Sequence, residues 1–260
     1  MAQWLAFNCR GKPGFGQAEC DRVIVYDGEM FGEARRTGEE IALADVSLDL
    51  PCRPGKLIAL WKNYHALAAK QNLAIPAEPL YVIKAPNSYS AHDSNVSQPL
   101  SYDGRVVYEG ELGIVIGKRC KYPNLEEAGH AIFGFTCIND ITALDLIAKD
   151  DSFAQWTRAK SFDGFGAIGP VIATGLDWKS LNVRTMLNGR ERQNYACNDM
   201  IFSPEEIVHA LSQDMTLEPG DVIACGTSLG VLPMKPGSVV EVHIEGIGTL
   251  RSTYSVAGTA

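Results

Sequence analysis

With 260 residues, 46% of them hydrophobic and 21% charged, the chain has an ordinary globular composition and enough length to bury a substantial core. Its formal net charge of −8, with no local Lys/Arg cluster, excludes a nucleic-acid polyanion as partner, and no apolar run is long enough to span a bilayer. Residues 1–10 lack the basic segment and apolar core of a secretory signal, so a soluble cytoplasmic protein is expected. Seven cysteines, an odd number with no Cys-x-x-Cys pair, argue against disulfides and against a zinc site.

Residues 1–52 alternate short β-like pieces (4–7 and 23–26) with turn clusters around Gly11 and Gly28, which predicts a small β-rich N-terminal domain. Pro51-Cys-Arg-Pro-Gly punctuates the chain, and the main domain, residues 53–260, begins there with a strand over 56–61 and a helix-forming stretch over 63–70. Residues 74–100 are rich in Pro, Ser and Asn and predict long loops around a short strand at 80–84. A strand over 106–117 follows. Asn124 with Glu127 predicts a capped helix, and 132–138 an apolar strand running into Asn139-Asp140. Residues 142–148 look helical, and Lys160 precedes a glycine-rich turn. Strands are expected over 171–174, 183–188, 222–225, 239–244 and 248–253, with Asn188-Gly189 a hairpin turn. Ser203-Pro-Glu-Glu is the clearest helix start.

The chemistry concentrates in the 106–117 strand. Alternation puts Tyr108, Leu112, Ile114 and Ile116 on one face and Glu109, Glu111, Gly113 and Val115 on the other. Two carboxylates beside a residue without a side chain invite a cation if the strand is interior, because buried like charges must be protonated, paired or metal-bound. At an edge they would simply face water. Asp140, at the end of a strand expected to lie alongside, adds a third carboxylate. Three acids without His or Cys suit a hard divalent ion, Mg2+ or Mn2+, with positions left open for substrate and water. Two other motifs lack their context. Gly164, Gly166 and Gly169 fit a G-x-G-x-x-G pattern but precede Pro170 and a β-like run instead of a helix. Gly226-Thr-Ser-Leu-Gly fits G-x-S-x-G, but Pro233 and Pro236 deny it a following helix.

Tyr-Glu-Gly-Glu-Leu-Gly-Ile-Val-Ile-Gly-Lys, Ile-Asn-Asp-Ile-Thr-Ala, Ala-Lys-Ser-Phe-Asp, Leu-Glu-Pro-Gly-Asp-Val-Ile-Ala-Cys-Gly-Thr and Ile-Glu-Gly-Ile-Gly-Thr-Leu, in this order, resemble the fumarylacetoacetate hydrolase family over about residues 56–251. The resemblance implies a β-rich α+β fold, a roll of packed mixed sheets, commonly a homodimer. It also implies a Mg2+ held by three acids that chelates a small 2-oxo or 1,3-diketo acid. Carried over, the metal ligands are Glu109, Glu111 and Asp140. Lys160 matches the family's active-site lysine and would place a second cation beside the oxyanion, where composition alone would read an exposed helix-end lysine. Gly226 and Thr227 stand at the family's Gly-Thr position and would bind the substrate carboxylate.

The departures bear on the reaction. The family's water-activating His and Glu positions hold Leu67 and Lys70. His65 lies two residues early, about 200° away on a helix, and is retained as the candidate base, with His92 behind it. Leu144 and Ile147 replace a substrate-binding Arg and Gln, so Lys149, Arg158 or Tyr89 would have to meet a distal carboxylate. By resemblance, the expected activity is Mg2+-dependent hydrolysis of a C–C bond in an acylpyruvate-like (fumarylpyruvate or fumarylacetoacetate-type) diketo acid. The alternative is an isomerase, tautomerase or decarboxylase of a 2-oxo or 2-hydroxydienedioic acid in aromatic catabolism, and a third reading is a non-catalytic metal-binding protein.

Overall fold

The computed structural model describes residues 1–256. A twelve-stranded mixed sheet runs through the molecule. At its centre Gly110–Ile116 lies antiparallel to Ile132–Asp140 on one side and to Val222–Ala224 on the other. Val222–Ala224 is parallel to Leu57–Trp61, and Leu80–Lys84 closes that edge. In the other direction Ile132–Asp140 pairs with Gly166–Thr174, which pairs with Ala2–Cys9. The N-terminal strands Ala2–Cys9, Lys12–Glu19, Arg22–Gly28 and Ala34–Ala42 thereby extend the main sheet.

A second sheet of five strands packs against the first: Arg190–Ala196, Asn182–Leu187, Ser238–Ile244, Gly248–Ser255 and Ser94–Ser97. The two faces of the central strand serve different cores. Leu112, Ile114 and Ile116 join Val240, Val242, Ile244 and Leu250 of the second sheet in one cluster. Val115 joins Ile138, Ile168, Ile172 and Val222 in the other. All seven residues of Gly110–Ile116 are buried, so this is an interior strand, and the edge alternative falls away. The fold is β-rich with mixed sheets and few helices, as the resemblance implied. Among the described residues no helix is long and apolar enough to cross a membrane.

Two local expectations need correction. The 106–117 stretch is not one strand: Val106–Val107 pairs with Thr142–Ala143 in a separate ribbon, and the ladder resumes at Gly110. Between them Glu109 is held partly by a side chain, its N–H donating to Asn139 Oδ1 (3.2 Å) while its carbonyl accepts from Asp140 N–H (2.8 Å). For the same reason 142–148 is not helical. Thr142–Ala143 is drawn into the ribbon, and only a 3-10 turn, Leu144–Leu146, remains. The helix starts agree with their caps: Asn124 and Glu127 form a capping box for Leu125–Ala131, and Ser203 and Glu206 one for Pro204–Asp214.

Candidate active site

Antiparallel register sets Gly110 opposite Asn139 and Glu111 opposite Ile138, so the entry to one strand and the exit from its neighbour meet at one end of the sheet. There Glu109, Glu111 and Asp140 each offer a carboxylate oxygen, all within 4.8 Å of one another. Lys160, from the short helix Trp156–Lys160, donates to Asp140, to Glu109 Oε2 (3.2 Å) and to Thr142 Oγ1 (2.9 Å). Its three N–H bonds are all engaged by these partners.

Lys84, at the end of Leu80–Lys84, is fully buried and donates to Asp140 Oδ1 (2.5 Å) and the Ile141 carbonyl (3.3 Å). Thr142 Oγ1 donates to Glu109 Oε1 (2.8 Å). Glu111 Oε2 accepts from the Gly226 N–H (2.7 Å), while its buried Oε1 has no partner among the described residues. The ionisation tendencies follow from these contacts. Burial, then the neighbouring Asp140 and Glu109 carboxylates, push the Glu111 carboxyl well above its ordinary range. Burial also raises Glu109, against the opposing pull of Lys160. Asp140, between Lys160 and Lys84, is held below its ordinary value despite burial. Burial lowers Lys84, whereas the surrounding carboxylates hold Lys160 above the ordinary lysine value.

An all-oxygen donor set with one buried, unpartnered carboxylate oxygen fits a hard divalent cation. Gly113, on the same strand, does not make room for it. A Cβ there would lie 2.7 Å from Ile138 Cγ1 and 2.9 Å from Thr136 Cγ2, so its bareness serves strand packing.

A cavity of about 280 Å³ opens above Glu109, walled by Trp61, Leu67, Leu144 and the 229–231 loop, with Gln71 at its rim. Thr227 lines it too, but its hydroxyl already donates to the Gly110 carbonyl (3.0 Å) and accepts from Gln193 Nε2 (2.8 Å). Gly226, at φ +90°, spends its N–H on Glu111 and so holds a carboxylate of the protein. Asn63 secures this loop, donating to the Cys225 carbonyl (2.9 Å) and accepting from Phe202 N–H (2.9 Å).

The structure does not bring the histidines to the cavity. His65 is exposed on the first turn of His65–Lys70, and it is Leu67 of that helix that faces inward. His92 lies elsewhere, against Asp93 (3.2 Å) and the Arg251 N–H (3.2 Å). Tyr89 accepts from Leu57 N–H (3.1 Å), and Lys149 and Arg158 are exposed and do not line the cavity.

Three members escaped the sequence reading. Lys84 had one faint signal, a lone cation closing an apolar strand. Thr142 was masked by the helical reading of its segment. Gln193, whose Oε1 accepts from Gly110 N–H (3.1 Å), had none, because its neighbours Arg192 and Asn194 are polar as well.

The profile described as "Fumarylacetoacetate (FAA) hydrolase C-terminal" matches residues 56–255, and one described as "Rv2993c-like, N-terminal" matches residues 3–51. A protein of Archaeoglobus fulgidus is 43% identical over 248 residues, covering 95% of this chain and 94% of its own length. The oxaloacetate tautomerase YisK of Bacillus subtilis is 34% identical over 254 residues, covering 90% and 83%. The crystal structure of 2-hydroxyhepta-2,4-diene-1,7-dioate isomerase from Mycobacterium marinum superposes with a TM-score of 0.90 at 33% identity, covering 100% of both chains. The ordered motifs, the carboxylate cluster they build and these likenesses agree, and the chain belongs to the fumarylacetoacetate hydrolase family of enzymes.

Proposed function

We propose that the protein is a metal-dependent isomerase or tautomerase of a small 2-oxo acid, with Glu109, Glu111 and Asp140 as ligands of Mg2+ or Mn2+. In the reaction a C3–H bond of the substrate breaks and an O2–H bond forms, or the reverse, so no water is consumed and no electrons change hands. A divalent cation bound there would polarise the 2-oxo group and lower the energy of the enolate. The chain's own residues prepare the place. Lys84 and Lys160 fix Asp140 from both sides, Gly226 fixes Glu111, and Gln193 and Thr227 tie the 226–230 loop to Gly110.

The observation that carries this reading is the cavity wall. Leu67 lines the cavity at the position where the family resemblance expects the water-activating His, and among the described residues Glu109 is the one ionisable side chain lining it. A tautomerase needs no activated water, but the proton leaving C3 needs an acceptor that returns it to O2, and Glu109 is the carboxylate placed at the cavity to carry it. The names of two relatives, a tautomerase and an isomerase, support the same class. Hydrolysis of an acylpyruvate is the second reading. It keeps the metal cluster but would need the helix carrying His65 to turn.

The test follows the enol absorbance of oxaloacetate and acetopyruvate with purified protein, with Mg2+ or Mn2+ and after chelation, with product masses determined. Metal-dependent loss of the enol without change of mass is the expected result. Two smaller acids would establish hydrolysis, loss of CO₂ decarboxylation, and no acceleration with either metal would overturn the proposal.

We also propose a homodimer. Leu80–Lys84 is a sheet edge hydrogen-bonded on one side only, and it exposes Leu80, Tyr81 and Ile83.

A further inference from the structure

Gly110, the residue between Glu109 and Glu111, is gripped by the second sheet. On the side facing Val222–Ala224 the ladder covers only Gly113–Val115, and beyond it the Cys225 N–H reaches the Leu112 carbonyl. The chain then turns at Gly226 to give its N–H to Glu111, so at Gly110 the ladder has stopped on that side. A buried peptide still needs partners, and side chains supply them. Gln193 Oε1 accepts from the Gly110 N–H (3.1 Å), the Tyr195 hydroxyl donates to the Gly110 carbonyl (2.5 Å), and Thr227 Oγ1 donates to the same carbonyl (3.0 Å).

Gln193 and Tyr195 alternate on Arg190–Ala196 and therefore share a face. Register sets Thr185 opposite Gln193, and Thr185 explains why the gripped residue is a glycine: a Cβ at Gly110 would stand 2.0 Å from Thr185 Oγ1. The two side chains are fixed in turn. Gln193 is buried, and its Nε2 donates to Thr227 Oγ1 (2.8 Å) and to the Ser228 and Leu229 carbonyls (3.3 Å each). The Tyr195 ring packs edge-on against buried Tyr64, with centroids 4.8 Å apart.

The consequence lies at the carboxylates. The Gly110 N–H belongs to the peptide plane shared with Glu109, and its carbonyl belongs to the plane shared with Glu111. Holding both groups fixes both planes, and with them the directions in which the flanking side chains leave the strand. Buried like charges would otherwise turn apart.

We infer that Gln193 and Tyr195 are positioning residues of the carboxylate centre, which keep Glu109 and Glu111 aimed at one point before a cation arrives. This rests on the reading of Glu109, Glu111 and Asp140 as Mg2+ or Mn2+ ligands and adds to it the groups that aim them.

Mn2+ titrated into the full chain, read by electron paramagnetic resonance, tests it. Gln193→Leu removes both ends of the amide, whereas Tyr195→Phe removes the hydroxyl and keeps the ring against Tyr64. Each should weaken Mn2+ binding roughly tenfold and alter the line shape of the bound ion. Val242→Ala, in the buried core under the second sheet, is the control. It should lower the urea midpoint and leave Mn2+ affinity and line shape unchanged.

A variant shown to be folded by circular dichroism that binds Mn2+ within about twofold of wild type, with the same line shape, would overturn the role of its residue. Equal weakening in Val242→Ala would overturn it for both, because general loosening would then account for the loss. If Gln193→Leu does not fold, Tyr195→Phe carries the test. If the wild type binds no Mn2+, the metal reading fails and the inference falls with it.

Discussion

Glu111 holds one carboxylate oxygen against the Gly226 N–H and leaves the other buried without a partner. Without metal, ionising it costs the fold free energy that the unfolded chain does not spend. Because its folded pKa is raised, metal-free stability should fall as pH rises through and above the ordinary carboxylate range. Glu111→Gln should remove that slope and leave the metal-free melting temperature unchanged or higher, while Mg2+ affinity measured by calorimetry drops on the order of 100-fold. Unchanged affinity would mean that Glu111 is not a ligand. Asp145 shows the opposite sign. Arg105 donates to it from Nε and Nη2 and from its backbone N–H, and this holds the carboxyl down at about 2. Its contribution is fully present above the unfolded value near 3.9 and is lost as pH falls toward about 2. Asp145→Asn should therefore lower the thermal midpoint at pH 7, with the difference closing near pH 2; a gap that persists there would point to packing instead of charge.

At the scale of the element, the central strand shows how far alternation reaches. It assigned Leu112, Ile114 and Ile116 to one face and Val115 to the other, and two separate cores receive them. It also assigned Gly113 to the acidic face, where the missing side chain looked like room for a cation. The neighbouring strand fills that room with Ile138 and Thr136. Gly113→Ala should accordingly destabilise by about 1–3 kcal/mol in urea unfolding, through overpacking of an interior that gives little. A neutral result would show that Ile138 can turn away. Alternation could not register the break at Tyr108 and Glu109, because a strand that changes partner keeps its local pattern while its hydrogen bonds go elsewhere.

At the scale of the molecule, the sheet begins with strands from the N-terminal 42 residues and ends on Leu80–Lys84, an edge with three exposed apolar side chains. If two chains meet there, light scattering should give twice the 28.2 kDa chain mass. Tyr81→Lys combined with Ile83→Lys should then reduce it to one. A wild-type monomer, or a double variant that stays dimeric, would place the contact elsewhere or remove it. The same edge strand ends in Lys84, fixed to Asp140 at 2.5 Å, so disruption of the edge should also weaken metal binding.

By itself the sequence determined the family, the β-rich class, the helix caps at Asn124 and Ser203 and the three acids, because each is written in residues close together in the chain or in an ordered set of motifs. Only the tertiary structure decided which groups surround those acids. Lys84 reaches Asp140 from 56 residues away and Gln193 reaches Gly110 from 83, through strand pairings that no local period records. It also decided that Leu67 faces the cavity and His65 the solvent. A helix's own pattern gives the angle between two side chains, and only the surface it packs on settles which of them turns inward.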